Sequence, residues 1–227
     1  MIDTVLFDLG NTLVRYYGKR EFPAVLERSL AAVSHSLGKS LEGIRERAEV
    51  EDHESPDCRT RPLEGRLARI FSIDPLDKEL LERAARHFMA PIFEMAVVYE
   101  DTQPVLETLR SRGLKIGLVS NSPWGCPASL LHEELRRHRL TGFLNAAVFC
   151  VDVGWRKPAE PIFRYALQQV GADVERTLFV GDDVEWDVAG PQRIGMRAVL
   201  LDRARRSPRT GITVIRSLDE IPALVTC

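Results

Sequence analysis

The chain has 227 residues, 44% of them hydrophobic and 28% charged, with a formal net charge of −2. That is enough apolar material for a packed core, and it excludes a disordered or low-complexity chain. A balance so near neutral gives no whole-protein field for nucleic acid or an anionic membrane, and no apolar run reaches the length of a bilayer span.

The first predicted element is a strand. Val5-Leu6-Phe7 is an apolar run that stops at Asp8, where Gly10-Asn11 begins a turn. A carboxylate there sits at the carboxyl end of a buried strand, facing the crevice in which open α/β sheets bind ligands, or else it caps the turn. The chain enters this strand at once, without the basic and apolar regions of a secretory signal. The cysteines Cys58, Cys126, Cys150 and Cys227 form no CxxC pair and no zinc-type spacing with histidine. We therefore expect reduced thiols and a cytoplasmic location.

From 15 to 98 the pattern is helical. Residues 21–37 place Phe22, Val25, Leu26, Leu30, Val33 and Leu37 on one face, and Gly38 ends the helix. Further helices are predicted over 40–51, 62–71 and 77–93, with a polar loop at 52–62 and no alternating strand in the region. After Pro104 helix and strand alternate strictly. Helices are predicted at 104–112, 129–140, 160–170, within 184–194 and at 218–224. Strands are predicted at 115–119, 147–151, 177–180, 197–201 and 213–215. Such alternation implies a Rossmann-like parallel sheet with helices on both faces. The expected organisation is an α/β core of residues 1–14 and 99–227, interrupted by an all-helical insertion at 15–98.

Polar groups recur at four strand ends. They are Asp8; Ser120 with Asn121; Lys157, after Gly154-Trp155-Arg156; and Asp182 with Asp183, followed by Asp187. In a parallel sheet these ends share one edge, so the groups converge although far apart in sequence. Carboxylates crowded in one crevice need a counter-ion, and a hard divalent cation such as Mg2+ supplies it. Lys157 and the Ser120 hydroxyl suit the oxygens of a phosphoryl group, which Asp8 is placed to attack. Arg203, Arg205, Arg206 and Arg209 have no interleaved aromatic residue and read as a solvated loop. For Trp186 packing is the expectation; Trp155 either packs or lines the crevice.

The residues Asp8-x-Gly10-Asn11-Thr12-Leu13, Val119-Ser120-Asn121, Gly154-x-x-Lys157-Pro158 and Gly181-Asp182-Asp183-x-x-x-Asp187, in this order, resemble the signatures of the haloacid dehalogenase-like hydrolase superfamily. The resemblance covers the whole α/β part, and the helical insertion lies where this family's C1-type cap lies. It implies Asp8 as the nucleophile of an aspartyl-phosphate, with Ser120 and Lys157 holding the phosphoryl group and Asn121, Leu9 and Gly10 contributing to phosphate binding. It also implies Mg2+ on Asp8, the Gly10 carbonyl, Asp182 and Asp183, with Thr12 and Asp187 behind them.

One departure stands out. The family's phosphatases carry a second Asp as general acid and base where this chain has Gly10. Three accounts follow: esters whose leaving group needs little protonation, a substitute acid among Glu51, Asp52 and His53, or a weakly active phosphometabolite binder. A dehalogenase would have no use for Asp182 and Asp183. A phosphonatase would need a cap lysine, for which Lys19 and Lys39 are the candidates. The expected partner is a small phosphorylated molecule, with no nucleic acid and no membrane. No heptad run or edge patch decides between monomer and homodimer.

Overall fold

The computed structural model describes residues 1–18, 20–204 and 211–225. In chain order the elements are β1 (Thr4–Phe7), β2 (Val14–Arg15), α1 (Phe22–Leu37), α2 (Ile44–Glu51), α3 (Leu63–Phe71), α4 (Lys78–Glu94) and β3 (Val97–Val98). There follow α5 (Thr102–Ser111), β4 (Lys115–Ser120), α6 (Ala128–Arg137), β5 (Ala146–Phe149), α7 (Cys150–Val153), α8 (Glu160–Val170) and β6 (Thr177–Gly181). A π-helical turn (Val184–Ala189) leads to α9 (Gly190–Arg193), β7 (Arg197–Leu201), β8 (Val214–Ile215) and α10 (Ile221–Leu224).

Six strands form one sheet in the order β5-β4-β1-β6-β7-β8, every pairing parallel. The Rossmann-like expectation is met. β1 lies inside the sheet, and all four of its residues are buried. A strand covered on both faces reads as a continuous apolar run, which is why its sequence does not alternate. Its side chains divide by the two-residue period. Val5 and Phe7 join Ile116, Leu118, Leu178 and Val180 on one face, while Leu6 joins Val119, Phe179 and the inner face of α8 on the other.

The first face carries α5 and runs without a break into helices α1–α4. There α1 packs along α4, and α3 bridges α4 and α2. α4 keeps its axis through Pro91 and begins at Asp77, whose carboxylate accepts the Leu80 N–H at 2.9 Å. α2 starts at Ile44 rather than at residue 40, because Gly43 takes a left-handed conformation (φ 67°) before it.

One element was not expected. β2 and β3 pair as a short antiparallel ribbon, Val14 with Val98 and Arg15 with Val97, at the two ends of the helical insertion. Two-residue strands are too short to show a period in sequence. Among the described residues no helix is long and apolar enough to cross a membrane.

The loop at 52–62 is stitched to the loop that precedes Lys157. Thr60 donates its N–H to Gly154 O at 3.0 Å and its hydroxyl to Cys150 O at 3.0 Å. Arg156 donates its N–H to Cys58 O at 2.8 Å, and the Arg59 guanidinium lies 3.8 Å over the Trp155 ring. Arg61 and Gly125 pack equally closely: a Cβ on Gly125 would fall 1.9 Å from Arg61 O, so only glycine fits there.

Candidate active site

Asp8 leaves β1 with its N–H still bonded to Val180 O at 2.9 Å, so the sheet ladder fixes where its side chain starts. The next residues wind tightly. The Leu13 and Val14 N–H groups donate to Leu9 O at 3.0 Å, and Asn11, at φ 58°, donates to Val14 O at 2.6 Å. Thr12 is fully buried with its hydroxyl unpartnered among the described residues. Leu9 is buried too.

At the end of β4, Ser120 is buried and its hydroxyl donates to Asn121 O at 3.3 Å. Asn121, expected to face phosphate, instead grips the backbone of Lys157: its Oδ1 accepts the lysine N–H at 2.8 Å and its Nδ2 donates to the lysine carbonyl at 3.2 Å. An amide offers one acceptor and two donors, so it can hold both sides of a single residue.

The Lys157 ammonium, 2% exposed, donates to Asp8 Oδ1 and to Asp187 Oδ1, each at 2.6 Å. Burial opposes its charge, but Asp187 and Asp8 together outweigh that and hold its pKa above the usual lysine range.

Asp182 and Asp187 are both pushed upward. Burial is the main cause for Asp182, reinforced by Asp8 and Asp187, and its pKa reaches about 7. For Asp187, burial and the Asp8 charge outweigh the pull of Lys157. Asp182 accepts no hydrogen bond from the described residues.

Carboxylate oxygens of Asp8, Asp182 and Asp187 all lie within 4.8 Å of one another. Sequence reading put Asp183 in this set and Asp187 behind it. The geometry differs, for a local reason. Asp183 caps the π-helical turn, its Oδ1 accepting the N–H groups of Glu185 and Trp186 at 2.9 Å. Asp187 is folded back, with Oδ2 accepting the Asp183 N–H at 3.0 Å. That fold-back requires Gly181, since a Cβ there would lie 2.3 Å from Asp187 Cγ.

One ammonium among three carboxylates leaves two negative charges when all are ionised. An all-oxygen donor set of that charge fits a hard divalent cation, and Asp182, without a donor among the described residues, is the group most in need of one.

Gly10 has an ordinary backbone, and a Cβ there would meet only Tyr16 Cδ2, at 3.8 Å. The absence of an acid at this position is therefore not imposed by the turn. Of the substitutes considered, Glu51 is held by Arg61 at 2.5 Å and by Arg69 at 2.6 Å, inside the helical layer. His53 Nδ1 lies 2.9 Å from Val50 O, and Asp52 is exposed. Lys39 donates to the carbonyls of Phe71 and Ser72 at the end of α3; Lys19 lies outside the described residues.

A cavity of about 1020 Å³ meets this cluster at Asp182, with Tyr16, Tyr17, Tyr99, Arg15 and Arg203 among its lining. Asp8 and Lys157 do not line it. Arg203 corrects the expectation of a solvated loop. Its two nitrogens bond Asp101 at 2.8 Å, one also reaches Thr12 O at 3.0 Å, and the guanidinium stacks 3.9 Å from the Tyr99 ring. Arg205, Arg206 and Arg209 lie outside the described residues. Trp186 is 41% exposed rather than packed, with Arg156 at 5.6 Å over its ring. Trp155 stacks under Arg59. Sequence reasoning missed Tyr99, Asp101 and the role of Arg203; no motif marks them.

The profile of haloacid dehalogenase-like hydrolases matches residues 2–195. A ribulose-1,5-bisphosphate 5-phosphatase of Halopiger xanaduensis is 26% identical over 92% of this chain and 89% of its own. A glyceraldehyde 3-phosphate phosphatase of Methanopyrus kandleri is 29% identical over 90% and 86%. Among solved structures, a HAD phosphatase from Thermococcus onnurineus superposes with a TM-score of 0.69 at 27% identity, over 99% of this chain and 98% of that one.

Proposed function

The chain belongs to the haloacid dehalogenase-like hydrolase family, and from that premise we propose that it is a Mg2+-dependent phosphatase of a small phosphomonoester, working through an aspartyl-phosphate on Asp8. The observation that carries this reading is the Lys157 ammonium 2.6 Å from both Asp8 and Asp187, beside an Asp182 that has no hydrogen-bond donor among the described residues. The named phosphatases among the relatives support the reaction class, and a small soluble metabolite, met in the cytoplasm, is the corresponding substrate class.

In this reading an Asp8 oxygen attacks phosphorus and the bond to the leaving oxygen breaks. Water then attacks the aspartyl-phosphate, releasing phosphate and restoring the carboxylate. Lys157 turns from its carboxylates to the phosphoryl oxygens, Ser120 donates its hydroxyl to them, and the backbone at Leu9 and Gly10 borders them. Asn121 keeps the lysine in register. Asp8, Asp182 and the Gly10 carbonyl would hold Mg2+, with Asp183 adjacent and Asp187 and Thr12 supporting the set. The ion would neutralise charge on the phosphoryl oxygens and relieve the crowding of the carboxylates. Helices α1–α4 act as the cap.

Gly10 bears on the leaving group. No residue at that position can donate a proton, so acyl and anomeric phosphates, whose leaving groups are weak bases, suit the site best. A phosphate-release screen of metabolites, with and without Mg2+, tests the reading; a folded protein inert toward every compound overturns it. The Gly10→Asp variant tests the leaving-group argument. General acid catalysis is typically worth about 10²–10⁴-fold, so we expect faster turnover of alkyl phosphates and little change for acetyl phosphate. A non-catalytic phosphometabolite binder is the second reading, and Gly10 is the observation that favours it.

A further inference from the structure

Among the described residues, two arginines line the cavity that meets the acidic cluster, Arg15 and Arg203. Both terminal nitrogens of Arg203 are taken by Asp101 and Thr12, and its guanidinium stacks on Tyr99. The Arg15 side chain is exposed and makes no hydrogen bond or ion pair with any described residue. None of the acidic residues lining the same cavity forms an ion pair with it, and three of them bond other partners. Glu94 pairs with Arg28 at 2.6 Å, Glu185 pairs with Arg193, and Glu21 accepts the Gly18 N–H at 2.7 Å.

An exposed arginine is ordinarily just a solvated one. Three features set Arg15 apart. Its backbone is fixed in the ribbon opposite Val97, so the side chain leaves from a defined place. It opens onto a cavity walled by Tyr16, Tyr17 and Tyr99, large enough for a substrate with a body beyond its phosphate. And the cavity it lines reaches the acidic cluster at Asp182. A planar guanidinium in that position matches a carboxylate or a phosphate.

We infer that Arg15, on the cavity it shares with Tyr99, is a specificity residue that binds a second anionic group, carboxylate or phosphate, at the far end of the phosphomonoester. This deepens the phosphatase reading by naming its substrate class, and it rests on that reading.

The test has a kinetic arm and a binding arm. Phosphate release is measured for 3-phosphoglycerate and fructose 1,6-bisphosphate, which carry the second anion, and for glycerol 3-phosphate, which does not. Wild-type KM is expected to be lower for one or both of the first pair, and which of the two identifies the anion as carboxylate or phosphate. Arg15→Gln is expected to raise that KM by about 10- to 100-fold, the worth of a hydrogen bond to a charged group. Its effect on glycerol 3-phosphate and on kcat is expected to be small, and Arg15→Lys should restore part of the loss.

Calorimetry on the Asp8→Asn protein repeats the comparison without turnover. Tighter binding of the doubly anionic compounds, lost with Arg15→Gln, supports the inference even if no compound is hydrolysed, and in that event the phosphatase reading alone falls. Equal affinity for all three compounds, or an Arg15→Gln effect shared by all three, overturns the inference while turnover leaves the phosphatase reading standing.

Discussion

Two buried acidic centres in this molecule are built in opposite ways. At the strand ends, Asp8 and Asp187 share the ammonium of Lys157 while Asp182 does not bond it, and burial and mutual repulsion push Asp182 and Asp187 toward the protonated form. In the helical layer one carboxylate has several cations. Glu51 takes hydrogen bonds from Arg69 at 2.6 and 2.8 Å and from Arg61 at 2.5 Å, while Arg66 donates to its backbone carbonyl at 2.9 Å. The Arg69 hydrogen bonds and the neighbouring arginines hold the Glu51 carboxyl below its usual range. A satisfied centre fixes structure; a centre with surplus negative charge can take up a cation.

The largest expected effect breaks the reactive centre alone. Asp8→Asn should lower phosphate release by about 10³-fold or more, with the circular dichroism spectrum and melting curve close to wild type. Turnover at the original rate removes Asp8 from its role.

The converse change is Glu51→Ala. It takes the carboxylate away from Arg61 and from the half-exposed Arg69 and should cost about 1–2 kcal/mol of stability in urea titrations, while the folded fraction keeps its kcat. Loss of kcat without loss of stability would erase the distinction between the two centres.

Next comes the ion. Mg2+ at 100 times its Kd should stabilise the protein by about 2.7 kcal/mol. The gain in melting temperature should be clear at pH 8 and small at pH 5.5, where protons on Asp182 compete. An unchanged melt at pH 8 argues against a metal at this site.

The smallest effect is a difference in sign. Asp182 binds protons more tightly in the folded chain than in the unfolded one, so its contribution makes the metal-free protein less stable as pH rises from about 4 to about 7. Glu51 does the reverse: its stabilising contribution is present above the ordinary carboxylate range and is lost as pH falls through its lowered pKa. Asp182→Asn should therefore flatten the first slope and raise the metal-free melting temperature at pH 8 by about 2–4 °C per kcal/mol relieved. A Glu51→Gln variant leaves that slope in place.

The reactive centre was legible in sequence because its members mark the ends of apolar runs: Asp8, Ser120 and Asp182 each close a buried strand. The parallel sheet followed from the alternation of helices and strands, and it alone brings those ends to one edge. The choice between Asp183 and Asp187 was not legible. Both follow β6, and only the capping bonds to Glu185 and Trp186 show which of them is turned away from the cluster. The satisfied centre was equally hidden. Glu51, Arg61, Arg66 and Arg69 carry no motif, and their pairing depends on how α2 and α3 pack. Arg203 and Asp101 are 102 positions apart, beyond the reach of any local pattern.

The main-chain bonds from Cys58 and Thr60 to residues 154–156 bear on attempts to recombine this protein. A chimaera that imports a foreign helical module, yet keeps the native stretch before Lys157, inherits two halves of a seam cut for different partners. Exchanging both segments together preserves the match, so the transferable unit is discontinuous: the insertion plus a short piece of the scaffold almost a hundred positions downstream.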